Sequence, residues 1–324
     1  VADPETEFWV WWTQRGQAAS QTALATGDFD DLLPELTARI ERIDRDLAWE
    51  FGPGDDAEHR LTVTGGGRPR PRAAAQRWFD CAPESSAFEF APAKSADPSA
   101  FGHELAIDGI AVSLSQSRFR IFVDEEHWLI QVGVYHPAFR RLDGEHVNSV
   151  TFLMLDWLLG EDGVERWVAG VESLTDNPTD GVDAASVVEI VNSLAARAPV
   201  NEWVLLSAQT PDGPLVVNVR RPFSWLDDPL ATQAVVAVRD YPAREDGLPG
   251  DGVFEQLVSA EDALQAQVPD DAFVASVTGM AQRRLHLFLR PDADLSAIEA
   301  WARACGAQLD IFDDPGWTCV RDFR

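Results

Sequence analysis

The sequence predicts an α+β protein of two domains, and three observations carry that reading. The chain has 324 residues, more than the roughly 100 to 200 over which one hydrophobic core usually grows. Its last part alternates strand-like and helix-like patterns in the order β-α-β-β-α-β, the split βαβ or ferredoxin-like order. A helical pattern stops at Pro199 and strand-like sequence follows it, so the boundary is drawn there, giving domains at residues 1–199 and 200–324.

The first domain opens with "FWVWW", Phe8 to Trp12, three tryptophans in four residues. On a helix Phe8, Trp11 and Trp12 share one face and Trp9 points elsewhere, so this helix is expected to be buried on two sides or to rest on a second surface. Leu33, Leu36, Ile40 and Ile43 recur at three- and four-residue steps and predict a second helix with one apolar face. "LAWEF" and "HRLTVT", split by the turn cluster "GPGDDAE", read as a hairpin. "PRAAAQRWFDCAP" is a helix stopped by Pro83, and "AFEFAPA" is extended. "ELAIDGIAVSL", "FRIFVD" and "WLIQVGVYH" supply three more strand signals, the last two turning at "DEEH". "EHVNSVTFLMLDWLLG" is the most apolar helix, ends at Gly160 and should centre the core. "VERWVAGVESL" reads as a returning strand and "ASVVEIVNSLAARAPV" as a connecting helix. The order is a looser version of the C-terminal one, which predicts a related α/β sandwich with added strands and two N-terminal helices.

The second domain is clearer. "EWVLLSAQ" and "PLVVNVRR" flank "TPDG" as a hairpin. "QAVVAVRDY", the helix "DGVFEQLVSAEDALQAQV", "AFVASVTG", "RRLHLFLR", the helix "DLSAIEAWARACG" and "AQLDIFD" follow in order.

Charge narrows the function classes. With 54 acidic and 26 basic residues the chain carries −28, a field that repels phosphate backbones and anionic headgroups and favours a basic protein partner. General nucleic-acid or membrane-surface binding is therefore not expected. Lys94 is the only lysine, as a GC-rich genome or a salt-adapted organism would produce. Cys81, Cys305 and Cys319 are odd in number and widely spaced, so neither a disulfide framework nor a zinc site is expected. No apolar run reaches the roughly 18 residues of a membrane span, and the first residues are acidic where a signal peptide is basic. The expectation is a cytoplasmic protein whose initiating methionine is absent, with no cofactor.

Candidate chemistry is sparse. Gly65, Gly66 and Gly67 precede Arg68 in "TGGGRPRPR", where glycine N–H groups at a helix start could cradle a phosphate. The lysine and hydroxyl of a P-loop are missing, and Pro69 and Pro71 remove two donors, so a mobile loop with solvated arginines is the competing reading. His127, His136 and His146 match no local ligand spacing. Paired carboxylates are too abundant in so acidic a chain to mark a catalytic site, although Asp313-Asp314 ends a strand before the "PGW" turn. No nucleophile elbow is present, and no metal site is expected.

"REDGLPGDGVFEQLVSAEDAL", "VASVTGMAQRRLHLFL" and "DDPGWTCVRDF" together resemble an uncharacterised bacterial family catalogued as domain of unknown function 695. The matching elements are Gly247-Leu248-Pro249, Glu261-Asp262, Thr278-Gly279, and Asp314-Pro315 with Trp317. "FWVWW", "LAWEF" and "CAPESSAFEFAPAK" look like openings of larger members. The last segment is also similar to the regulator of ribonuclease E activity B, an acidic bacterial protein that inhibits an endonuclease by binding it. The resemblance implies a ferredoxin-like domain and a binding or regulatory role. The leading expectation is a non-catalytic module working by protein–protein contact, with Trp9, Trp12, Glu261, Asp262, Asp314 and Trp317 as candidate contact residues. The alternative is a hydrolase or nucleotide-handling enzyme with an acidic cleft between the domains that a divalent metal could serve. A third is self-association through "FWVWW".

Overall fold

The computed structural model describes residues 3–324. They form an α+β protein that divides into two compact units, one ending at Ala198 and one beginning at Pro199.

In the first unit, α1 (Pro4–Trp11) starts on Asp3, whose carboxylate accepts the Thr6 N–H at 2.7 Å, with Pro4 at the first helical position. A π-helical turn, Trp12–Gly16, joins it to α2 (Gln17–Thr26). Gly16 is required there, because a Cβ would lie 2.8 Å from the Trp11 ring. The helix α3 (Leu32–Ile43) buries Leu32, Leu36 and Ile40. Leu33 is exposed and Leu32 takes its place at the start of the stripe, while Leu36, Ile40 and the half-buried Ile43 lie where the spacing predicts.

Strands β1 (Ala48–Pro53) and β2 (His59–Thr64) form the expected hairpin. The chain then passes through α4 (Pro69–Asp80) to β3 (Phe88–Ala91), which lies parallel to β2. Strands β4 (Glu104–Ile107) and β5 (Ile110–Ser113) are a tight hairpin where one strand signal was read, turning at Asp108 and Gly109 with φ of 48° and 74°.

The hairpin β6 (Arg118–Asp124) and β7 (Leu129–Tyr135) is followed by α5 (Gly144–Leu159) and α6 (Glu161–Trp167). Strand β8 (Val168–Leu174) then pairs parallel to β7. Of the stretch 164–174 expected as strand, Val168–Leu174 is strand, while residues 164–167 belong to a short helix instead. Gly160 ends α5 at φ 72°, and Glu161 and Asp162 place acid in the first turn of a new helix. The helix α7 (Ala184–Arg197) packs Val187, Val191 and Leu194 into this second core.

From β2 through β8 the first unit has the loose β-α-β-β-α-β order with added strands, but its strands do not join into the one sheet that a related sandwich would have. It contains two three-stranded sheets, β1-β2-β3 and β6-β7-β8. Each has the same plan: an antiparallel hairpin, a helical crossover, and a third strand parallel to the second.

The second unit is built on one six-stranded antiparallel sheet. Its strands are β9 (Glu202–Thr210), β10 (Gly213–Arg221), β11 (Gln233–Asp240), β12 (Phe273–Gly279), β13 (Gln282–Leu289) and β14 (Gln308–Asp313), in the order β14-β11-β13-β12-β10-β9. The helix α8 (Asp251–Gln265) joins β11 to β12, and α9 (Ser296–Cys305) joins β13 to β14. On one face Leu264, Ile298, Trp301 and Ala302 of these helices pack on Val235, Ala237, Leu285 and Leu287. The other face, including Val217, Val219 and Phe288, is covered by Phe223, Trp225 and the C-terminal residues Trp317 and Val320.

Candidate functional site

The two helices of the second unit leave part of the sheet bare. Strand β9 is an edge, and Trp203 and Leu205 on one of its faces are 41% and 71% exposed. Pairing carries that face inward: Leu205 stands opposite Asn218 and Asn218 opposite Ser276, while Val216 is opposite Thr278 and Thr278 opposite Arg283. The wall is α8, through Phe254, Val258, Glu261 and Asp262, and Leu248 with Pro249 closes one end. The result is a groove of about 650 Å³ with apolar sides and a polar floor, a size and lining usual for binding sites.

Arg283 and Glu261 are buried in that floor, each side chain 8% exposed. Arg283 Nε donates to Glu261 Oε2 at 2.9 Å, Nη2 donates to the same oxygen, and Nη1 donates to Thr278 Oγ1 at 2.6 Å. Burial raises the Glu261 carboxyl above its ordinary range, and Arg283 opposes that shift. The pair ties α8 to β13 and fixes the groove wall. At the mouth, Gly247 takes φ 81°, and its carbonyl accepts from the Tyr241 hydroxyl and the Ala281 N–H, both at 3.0 Å. Met280 and Ala281 turn the β12–β13 hairpin at φ 52° and 57°, a left-handed pair that costs non-glycine residues energy and is held by these contacts.

Of the residues singled out in the sequence, Glu261 and Asp262 meet at this groove, Glu261 pointing in and Asp262 exposed. Trp9 and Trp12 are 6% and 0% exposed, so they are core residues and not surface anchors. Trp9 stacks on Trp78 at 4.8 Å and donates to the Trp78 carbonyl at 2.7 Å, while Trp12 meets Phe88 edge-on. The helix is buried on every side but that of Val10, which leaves "FWVWW" no ring for a second copy.

Trp317 is likewise interior, stacked on Phe288 at 4.4 Å with its indole N–H on the Ala231 carbonyl. Asp314, also buried, accepts the N–H groups of Thr318 and Cys319 at 2.8 and 2.9 Å. Burial works against its ionisation, but those donors outweigh it and hold the carboxyl below its usual range. Both residues shape the C-terminal turn.

The glycine-rich loop lies between β2 and α4, but it is filled by its own chain. A Cβ on Gly65 would sit 2.6 Å from the Arg72 nitrogen. Arg68 donates to the Gly65 and Asp46 carbonyls, and Arg72 makes a two-point contact with Asp162. Arg72 is buried on its structural partner, whereas Arg68 keeps an exposed side chain while donating to those carbonyls, so of the two only Arg68 is a solvated loop cation. Gly66 and Gly67 take φ of 61° and 70° to make the turn.

Two clusters bear on an enzymatic reading. Asp108, Asp143 and His146 bring ligand atoms within 4.8 Å of one another at an exposed position, a set able to hold a divalent cation. Here Asp143 caps α5 and its second oxygen lies 2.9 Å from His146 Nδ1. Cys319 Sγ lies 3.8 Å from His286 Nδ1. Burial, with Arg284 beside it, lowers the imidazole to about 4, and burial with Asp314 pushes the thiol up to about 12. Both are neutral at pH 7, which is the opposite of an activated thiolate.

Sequence reasoning missed Trp203, Leu205, Phe254 and Arg283 as groove residues. The available signal was "WVLL", Trp203 to Leu206, an edge strand apolar on both faces and so in need of cover on both. No family model matches the chain, nor does any curated protein or solved structure.

Proposed function

We propose that this protein is a non-catalytic binding module that works by protein–protein contact, and that the groove beside β9 and α8 is its contact site. The observation that carries this is the bare sheet face: Trp203, Leu205 and Phe254 stand exposed around a groove whose floor is rigidly ion-paired. Apolar side chains exposed around a groove with a few convergent polar groups are a common form of interaction site. The strand order β14-β11-β13-β12 with α8 and α9 on one face supports a ferredoxin-like core extended by the β9–β10 hairpin. The resemblance to the family catalogued as domain of unknown function 695 belongs to the same proposal, since Leu248-Pro249, Glu261-Asp262 and Thr278 all line the groove.

The test is affinity capture with the wild-type chain and with Leu205→Asp, at low and moderate salt. A bound protein lost from Leu205→Asp and kept by a control at exposed Phe122 (Phe122→Asp) supports the reading. Capture that ignores Leu205 refutes it.

A further inference from the structure

We infer that the groove receives a basic, amphipathic α-helix of a partner protein, which lies beside α8 as a third helix on the sheet. The inference rests on the proposed contact role of this face. Strands β9 and β10 are the two that the helical layer does not cover. At about 4.8 Å per strand they offer a strip about 10 Å wide, the diameter of one helix with its side chains. The strip carries Trp203, Leu205 and Val216 with Phe254 rising at its side, an apolar seat for residues at i, i+3, i+4 and i+7 of a visiting helix.

Charge selects the sign of that helix. Asp251 and Asp262 flank the groove from α8 with exposed carboxylates that form no ion pair among the described residues. The one groove cation nearer the rim, Arg244, is already paired with Asp246 at 3.0 Å. Lysines or arginines flanking the apolar stripe would meet Asp251 and Asp262, and the chain's −28 charge would steer their approach. Acidic helices and nucleic acids meet the same field as repulsion.

The experiment uses the full chain and a fluorescent peptide of leucine, alanine and lysine, about 18 residues long, with leucines at helical spacing. Two comparison peptides replace lysine by glutamate or alternate leucine and lysine at strand spacing. The helical basic peptide should bind, and Leu205→Asp should weaken it by about tenfold or more. That loss is diagnostic because the substitution adds negative charge and would strengthen a merely electrostatic attraction. Asp251→Asn with Asp262→Asn should flatten the salt dependence, and Phe122→Asp should change nothing.

Equal or better binding of the strand-spaced peptide overturns the inference in favour of pairing on the β9 edge, and equal binding of the glutamate peptide overturns the charge argument. An unchanged affinity in Leu205→Asp overturns the site. A dimer by light scattering that Leu205→Asp dissolves would show that a second copy is the occupant, which also overturns it. If no peptide binds while capture still depends on Leu205, the helix is wrong and the contact role stands; if both fail, both are wrong.

Discussion

Replacing Glu261 by glutamine tests whether the groove floor is a rigid structure. The substitution keeps volume and removes the charge that faces Arg283, leaving a guanidinium whose side chain is 8% exposed with only neutral oxygens, Thr278 Oγ1, Ser276 Oγ and the glutamine carbonyl, to accept from it. Breaking one side of a buried pair costs about 3–5 kcal/mol, and partial acceptance by the glutamine oxygen argues for the lower end, about 3 kcal/mol. Hydrogen exchange of β12 and β13 amides reads this locally: protection there should fall by about two orders of magnitude. The companion variant, Glu261→Met with Arg283→Met, removes both charges and should cost less than either single change. A loss under about 1 kcal/mol in Glu261→Gln, or a double variant whose cost is the sum of the singles, would refute the claim that this pair fixes α8 on the sheet.

Asp156 sits where burial and the neighbouring Glu161 raise its carboxyl to about 6. Because the folded-state value is raised, the destabilisation by its charge builds up as pH rises from the unfolded value of 3.8 to about 6, so Asp156→Asn should stabilise the chain by about 1–2 kcal/mol at pH 8 and leave it nearly unchanged at about pH 3, by urea unfolding. Glu89 is the opposite case, lowered to about 2 by the N–H groups of Asp55, Ala57 and Asp56 and by Arg60. Its contribution is present above the unfolded value of 4.5 and lost on falling to about 2; Glu89→Gln should therefore be less stable than wild type at pH 6 and indistinguishable from it at pH 2 by circular dichroism. Cys319 should alkylate with iodoacetamide more slowly than exposed Cys81, and a faster Cys319 would reopen the thiol–imidazole pair as chemistry.

The elements that could be read from the sequence are those whose periodicity is local. The apolar run of α5 closed by Gly160, the "TPDG" turn and the regular succession from β11 to β14 all follow from spacing and turn residues. The helix α6 could not be read this way, because "VERWV" has too few turns to show a period and its cause is the Gly160 break before it. The groove was illegible for a different reason. Arg283 and Glu261 lie 22 residues apart and meet only because β13 pairs with β12 beneath α8. Trp317 looked like an anchor because an aromatic in a terminal turn reads the same whether it faces out or, as here, stacks on Phe288.

The bare strip is also what sets this edge apart from an ordinary exposed hairpin and supports the proposed contact. An edge strand is a hazard that proteins blunt with lysine, proline, bulges or shortness, yet β9 runs nine residues with no proline and no lysine. One of its faces is partly buried with the core, through Leu206. The other presents Trp203 and Leu205 toward α8. A strand needed only to extend the sheet would carry polar residues on that second face, as antiparallel edges facing water usually do. Apolar residues there lower solubility unless something covers them, and the carboxylates of Asp251 and Asp262 at the rim restrict what can do so. The sequence thus places apolar residues on a strip that its own helices leave uncovered, and under the proposed contact role the acidic rim would favour a cationic partner over an anionic one.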